Sequence, residues 1–339
     1  MADERLKVLS QHLRGAATQY PGISPCDTSA VAVAAHPAIN YTLNNGVLTP
    51  EQADFYEKNG YLVIEKLVSP EKLEKYRECF ELLCKGEMPK PPTLTIMRDV
   101  AIAKAEFVPG QKAVTKIQNF QDVPEMMHYC RLPELLKYVE AFTGPNIMAM
   151  HTMLINKPPD PGTKSSRHPM HQDLYYFPFR PAERVVCSWT AMEKVHRQNG
   201  CLVVIPGSHK GKILPHGYPQ WEGGVNKLYH GILDYSPDKP RLHLEMETGD
   251  TVFFHPLLIH GSGTNRTTGF RKSISCHFAS ADCYYMDKIE DVQNSAESEL
   301  EEMARMTLKK RGIDPPTLSM KDIWYSKARL VHGQPGTMC

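Results

Sequence analysis

A chain of 339 residues, 41% hydrophobic and 23% charged, has the proportions of an ordinary soluble globular protein and the length for one large domain or two small ones. Its formal net charge of +1 argues against a general nucleic-acid binder, and no apolar run approaches membrane-spanning length, which argues against an integral membrane protein. Nine cysteines without a C-x-x-C pair read as reduced thiols in a reducing compartment, not as a disulfide frame or a cysteine zinc site.

At the start of the chain, Arg5-Leu6 and His12-Leu13 stand seven residues apart, so a helix would present both pairs on one face with Leu9 between them. The pattern resembles the type-2 peroxisomal targeting signal; an amphipathic helix without that role fits the motif alone equally well. Asp3, Glu4 and the lack of a long apolar stretch argue against a secretory signal, and Thr337-Met338-Cys339 is not the C-terminal peroxisomal tripeptide. Residues 1–45 are read as a targeting presequence and linker, and 46–339 as a single domain.

Thr49-Pro50-Glu51-Gln52 predicts a helix start with Thr49 as N-cap and Gln52 in a capping box, ended by Asn59-Gly60. Tyr61 to Ile64 reads as a strand. Ser69-Pro70 opens a second helix with Leu73, Tyr76, Phe80 and Leu83 or Cys84 along one stripe, and with Cys79 and Cys84 as core filler. Strands follow at Leu94–Met97 and Val114–Ile117, then a helix from Leu132 to Thr143 stopped by Gly144-Pro145.

From there the pattern is strand-like. Ile147 to Asn156 alternates, with Ile147, Ala149, His151, Met153 and Ile155 on one face; Val185 to Ala191 groups Cys187, Trp189 and Ala191. Cys201–Ile205, Leu242–Glu247, Thr251–Phe254 and Arg271–Phe278 complete the set. The last of these places Arg271, Ser273, Ser275 and His277 on one face. About eight strands without intervening helices predict a mainly β fold with flanking helices: a double-stranded β-helix, or cupin-like jelly roll, over about 146–280. A last helix from Ser295 to Arg311 carries Leu300, Met303 and Met306 or Thr307 and stops at Gly312. Two long irregular stretches, 157–170 and 206–241, carry Lys157, Lys164, Arg167, Lys210 and Lys212.

Within this frame Arg167-His168-Pro169-Met170-His171-Gln172-Asp173 stands out. Pro169 biases the segment to an extended form, where His171 and Asp173 share a face. With the distant His260 they form a set of two imidazoles and one carboxylate suited to non-haem Fe(II). An H-x-D tripeptide alone is weak evidence, since most such occurrences are incidental. Arg271, on a polar strand face, suits a carboxylate clamp, although an Arg on a solvent-facing edge is as good a reading before the metal set is added. His255 and His168 are decoys, and His255 suits a packed, hydrogen-bonded role.

His171-x-Asp173, His260 and Arg271, with the runs Trp189-Thr190-Ala191-Met192-Glu193, Asn199-Gly200-Cys201-Leu202-Val203-Val204, Trp221-Glu222-Gly223-Gly224-Val225-Asn226-Lys227 and Gly249-Asp250-Thr251-Val252-Phe253-Phe254-His255-Pro256, resemble the phytanoyl-CoA dioxygenase family of iron- and 2-oxoglutarate-dependent dioxygenases. The similarity runs from about Asn40 to Val331. It implies Fe(II) on His171, Asp173 and His260, and 2-oxoglutarate held by Arg271 with Ser262. Lys116, Met153, Trp189 and Gln172 match cosubstrate-contacting positions, although Met153 and Trp189 would be core residues on spacing alone. It further implies ascorbate as reductant and 2-hydroxylation of a 3-methyl-branched fatty acyl-CoA in peroxisomal α-oxidation, with import by the receptor for type-2 signals. Related halogenases lack the carboxylate, so Asp173 argues for hydroxylation. Basic loops at the pocket mouth would steer the CoA phosphates, though ordinary solvated lysines account for any single one. The alternatives are the same chemistry on another acyl-CoA or small molecule, and a non-catalytic acyl-CoA-binding protein on this fold. A zinc hydrolase lacks a general base near the triad and leaves Arg271 without a purpose.

Overall fold

The computed structural model describes residues 39–98 and 114–339, apart from 161, 163–165, 222–224, 237, 239, 310, 311, 313 and 315–317. The Arg5-Leu6 and His12-Leu13 pairs, most of the linker, and Lys164 lie outside the described residues.

Among the described residues six helices flank the sheets: α1 (Pro50–Asn59), α2 (Pro70–Lys85), α3 (Pro124–Met127), α4 (Pro133–Thr143), α5 (Asn294–Lys309) and α6 (Met320–Lys327). The strands that build the site are β1 (Tyr61–Ile64), β2 (Thr95–Arg98), β3 (Val114–Gln118), β4 (Ile147–Lys157), β5 (His168–His171) and β6 (Val185–Ala191). They continue with β7 (Leu202–Val204), β8 (Leu242–Leu244), β9 (Thr251–Phe254), β10 (His260–Ser262), β11 (Arg271–Ser280) and β12 (Arg329–His332). An eight-stranded antiparallel sheet runs β1–β9–β6–β11–β4–β3–β2, with β12 also paired to β4; a four-stranded sheet runs β8–β7–β10–β5. Two facing antiparallel sheets form the jelly roll that the strand pattern predicts.

Local chemistry sets the boundaries. Thr49 accepts from the Gln52 backbone while Gln52 caps back to the Thr49 N–H, and Gly60 ends α1 at φ +79, where a β-carbon would be strained. Helices α1 to α4 pack on the outer face of the large sheet, where Tyr56, Tyr76, Phe80, Leu135 and Phe142 meet Leu154, Val186, Phe253, Ile274 and Phe278. The inner face turns Cys187, Trp189, Val252 and Phe254 toward Leu202, Val204 and Leu244 of the small sheet. A third cluster, with Phe177, Phe179, Ala296 and Trp324, seals one end beneath α5 and α6. No helix among the described residues is long and apolar enough to cross a membrane, and the eight described cysteines are all free.

Four expectations change. Ile147 and Ala149 do not share a face with Met153 and Ile155. Across β4 and β11 the register passes from Phe278 opposite Ala149 to His277 opposite His151, so Met150 is an extra residue. This β-bulge switches the alternation, sending Ile147 and Ala149 to the helical side and Met153 and Ile155 to the inner cleft. Second, the helix after the jelly roll is not the last element: α6 follows, with Ser319 capping onto Asp322, and then β12. Third, Met306 is exposed rather than part of an apolar stripe, and the Thr307 hydroxyl donates to Met303. Fourth, the boundary at residue 45 cuts through ordered contacts. The Glu57 carboxylate accepts from the backbone of Asn40, Tyr41 and Thr42 and from the Thr42 hydroxyl, and Leu43 donates to the Ala141 carbonyl.

Candidate metal centre

Strand pairing brings the early and late motifs together. β5 and β10 are antiparallel neighbours with His171 directly opposite His260. Gln172 continues the extended backbone, and Asp173 opens the 3-10 turn Asp173–Tyr176, so its carboxylate turns back beside the two imidazoles. His171 Nε2 lies 3.2 Å from Asp173 Oδ1, and His260 Nε2 lies 3.6 Å from Asp173 Oδ2. Two donors bound at right angles to one cation at about 2.1 Å each would be about 3 Å apart, so the set is spaced for a single ion. All three residues are buried, with donor atoms within 4.8 Å of one another.

The hydrogen bonds select the ligating form. His171 Nδ1 donates to the Pro169 carbonyl and His260 Nδ1 to the Leu258 carbonyl, each at 2.9 Å. Each Nε2 lone pair is therefore left facing Asp173. Burial pushes His260 down to about 4, which keeps the imidazole neutral at pH 7. Burial alone would raise the Asp173 carboxyl; the neighbouring His260 and His277, with the hydrogen bond from His277, hold it well below the ordinary carboxylate range. Two imidazoles with their Nδ1 sides taken up by carbonyls, beside an ionised carboxylate, fit a divalent, oxygen-activating metal.

A second group, Asp173, Cys187 and His277, has comparable spacing. Burial, aided by the charge of Asp173, keeps the Cys187 thiol protonated well above its usual range, whereas a metal needs the thiolate. His277 instead donates from Nε2 to Asp173 Oδ2 at 2.7 Å. It orients the carboxylate from the wall of the cleft, packed edge-on to Phe177 and stacked with His151.

The set lies in a cleft of about 740 Å³, counted out to solvent, between the two sheets. Lys116, Met153, Trp189, Ser262 and Arg271 line it, so the structure gathers five of the six predicted cosubstrate residues. Arg271 is 2% exposed; Nη1 donates to Ser273 at 2.9 Å, Nη2 to the Gly200 carbonyl at 2.8 Å, and its plane stands 5.4 Å from the Trp189 ring. Its Nε has no partner, and no carboxylate of the described residues pairs with it. Burial pushes Arg271 down to about 10, which still leaves it charged at neutral pH. A buried guanidinium with an unused donor is a site for an anion. Lys116, pushed by burial to about 8, stands on the same wall with Nζ 5.0 Å from the Tyr229 ring.

Gln172 is the correction among the predicted site residues. Its amide donates to the carbonyls of Lys212 and Leu257 and accepts from Leu214 N–H, and it is not among the residues lining the cleft. Alternation explains this, because neighbours of an inward strand residue point outward. Lys157 lines the cleft but is not the solvated cation expected: it is buried, and its ammonium donates to the carbonyls of Ser166 and Gly263. Arg167 packs over Trp221 at 3.7 Å, while Lys210 and Lys212 are exposed. His255 is packed against Tyr41 and His209, away from the triad. Sequence reasoning missed His277, Asn226 and Tyr229 as cleft residues. The alternation of β11 put His277 on the face of Arg271, and that was the available signal; Asn226 and Tyr229 sit in irregular chain and gave none.

A profile described as Phytanoyl-CoA dioxygenase matches residues 56–273. The chain is 55% identical over 334 residues to the human protein named "Phytanoyl-CoA dioxygenase, peroxisomal", covering 98% of this chain and 97% of that one. It is 54% identical over 302 residues to the "Probable phytanoyl-CoA dioxygenase" of Caenorhabditis elegans, covering 87% and 97%. Among solved structures it resembles the epimerase SnoN, crystallised with Fe3+, alpha ketoglutarate and nogalamycin RO, with a TM-score of 0.53, 20% identity and coverage of 70% and 85%; at that identity the likeness speaks to the fold.

Proposed function

The chain belongs to the phytanoyl-CoA dioxygenase family, and from that premise we propose that it is a peroxisomal 2-hydroxylase of 3-methyl-branched fatty acyl-CoA, with phytanoyl-CoA its leading substrate. The observation that carries the reading is the convergence of His171, Asp173 and His260 in one cleft with a buried, half-satisfied Arg271. An iron(II) centre with 2-oxoglutarate supplies oxygen-dependent hydroxylation coupled to decarboxylation of the cosubstrate to succinate.

The side chains divide this work. His171, Asp173 and His260 would hold the iron, in a cleft whose walls Cys187, Trp189 and Phe254 keep apolar. Arg271, with Ser262, binds the far carboxylate of 2-oxoglutarate, and Lys116, Met153 and Trp189 fix its orientation. Asp173, oriented by His277, would supply a carboxylate that offsets part of the metal charge, and the presence of that carboxylate favours hydroxylation. Gln172 acts outside the cleft by tying the 212–214 segment to residue 257. In the loops, Arg167, Lys210 and Lys212 meet the CoA phosphates. Ascorbate serves as reductant. Arg5-Leu6 and His12-Leu13 address the chain to the type-2 import receptor, a role supported by relatives whose names include "peroxisomal".

Purified protein supplied with Fe(II), 2-oxoglutarate and phytanoyl-CoA should form succinate and 2-hydroxyphytanoyl-CoA in equal amounts. The free acid and straight-chain acyl-CoA serve as comparisons. Iron-loaded protein forming no acyl-CoA-dependent succinate would overturn the substrate assignment.

A further inference from the structure

Tyr229 forms one wall of the cleft from within an irregular segment, and its ring ends a row that reaches the metal ligands. Its ring centroid lies 4.2 Å from that of His168, His168 lies 4.2 Å from His171, and His171 lies 4.2 Å from His260. No strand holds Tyr229 there. The residues on either side of it are held instead by side chains from two other elements.

Leu228 has φ +63, the left-handed region that a β-carbon disfavours. Its N–H donates to Tyr218 Oη at 2.9 Å, and its carbonyl accepts from Tyr176 Oη at 2.8 Å. On the other side the His230 N–H donates to Tyr176 Oη at 3.1 Å. The His230 imidazole is buried, with Nδ1 3.2 Å from Tyr175 Oη and Nε2 2.9 Å from Glu299 Oε2. The other oxygen of Glu299 accepts from Tyr218 Oη at 2.6 Å. One carboxylate on α5 therefore closes a ring of hydrogen bonds around the peptides that flank Tyr229. Tyr175 and Tyr176 belong to the 3-10 turn that Asp173 opens, so the wall and the metal set share one support.

We propose that Glu299 is a positioning residue for the cleft: through Tyr218 and His230 it holds Leu228 in its left-handed conformation and keeps Tyr229 seated against His168 and beside Lys116. A wall set from outside the barrel keeps the substrate end of the cleft in register with the metal set. The consequence for acyl-CoA turnover rests on the hydroxylase reading; the holding of the wall does not.

The test uses the full chain with Glu299→Ala and Glu299→Gln, and reads backbone hydrogen exchange over residues 226–232 beside steady-state kinetics. In Glu299→Ala the amides of Leu228 and His230 should exchange at least tenfold faster than in the parent. The kcat/KM for phytanoyl-CoA should fall about tenfold, with succinate exceeding hydroxylated product, while anaerobic iron binding stays within threefold. Glu299→Gln should restore most of both, because its amide oxygen accepts from Tyr218 and its NH2 donates to His230. Parent-like exchange in Glu299→Ala would overturn the proposal, as would freed amides with unchanged kcat/KM and coupling. If the parent protein shows no acyl-CoA-dependent turnover, the substrate reading fails. Exchange, together with succinate formed from iron and 2-oxoglutarate alone, still decides the role of Glu299.

Discussion

Asp173 faces His171 through Oδ1 and His260 through Oδ2, and Oδ2 also accepts from His277, so its position depends on a residue that need not touch the metal. Losing a hydrogen-bond partner of a ligand commonly costs 10–100-fold in metal affinity. His277→Ala should therefore weaken Fe(II) binding by that factor, read by anaerobic equilibrium dialysis, while His277→Gln, whose NH2 can still donate, should lose less. An unchanged affinity in His277→Ala would remove it from the site. The H-x-D pair was legible because Pro169 forces an extended segment and two-residue spacing then shares a face. The His277 contact was not legible, since it depends on how β11 and the turn after β5 come together. Gln172 shows the limit of motif reading, because a residue between two inward-facing ligands must point outward, and its amide is used there on three backbone groups.

Turns as well as strands hold the Arg271 end of the cleft. Gly200 sits at φ +79 just before β7 and offers its carbonyl to Arg271. A β-carbon there would lie 2.7 Å from the Gly263 carbonyl and 2.8 Å from Lys157 Cδ. Gly200→Ala should cost more than about 1 kcal/mol of stability, because the alanine is strained where glycine is not. It should also raise the KM for 2-oxoglutarate more than that for acyl-CoA, because Arg271 loses its rest. Chemical denaturation and steady-state kinetics check both; equal KM changes would contradict the link. Element type was readable where periodicity and caps were strong, as in α1, α2, β6 and β11. It failed at the β4 bulge, where one inserted residue exchanges the two faces and leaves no mark in the hydrophobic pattern, since Ile147 to Ile155 alternates through it. It failed also at α6, whose eight residues are too few to show a stripe.

Two histidines kept neutral by burial tie the start of the described chain to the rest of the fold. His209 and His255 pack against Tyr41, which joins the start of the described chain to the body. Burial pushes His209 down to about 4 and His255 to about 3, against an ordinary value of 6.5. Their folded values are depressed, so below pH 6.5 the unfolded chain takes up protons that the native protein refuses. Stability is complete above pH 6.5 and falls by about 1.4 kcal/mol per pH unit for each histidine, or roughly 2 kcal/mol each by pH 5. Denaturant titrations of the metal-free protein at pH 7, 6 and 5 should show this slope, and His255→Gln should make it shallower; a flat profile would contradict the burial argument. The two-sheet architecture was legible from strand count and turn spacing, whereas the docking of Asn40, Tyr41 and Thr42 on Glu57 was not, because a Pro- and Ala-rich stretch gives no sign of what it packs on. The central claim, that three buried side chains hold one iron beside an arginine that anchors 2-oxoglutarate, is tested most directly by an anaerobic titration of Fe(II) and 2-oxoglutarate, following the visible band of the chelate. The band should saturate at one metal and one cosubstrate per chain, vanish in His171→Ala, and require at least tenfold more 2-oxoglutarate in Arg271→Ala, since a hydrogen bond to a charged group contributes about 1.5–3 kcal/mol. A parent protein that gives no band, or a His171→Ala variant that gives the same one, would contradict it.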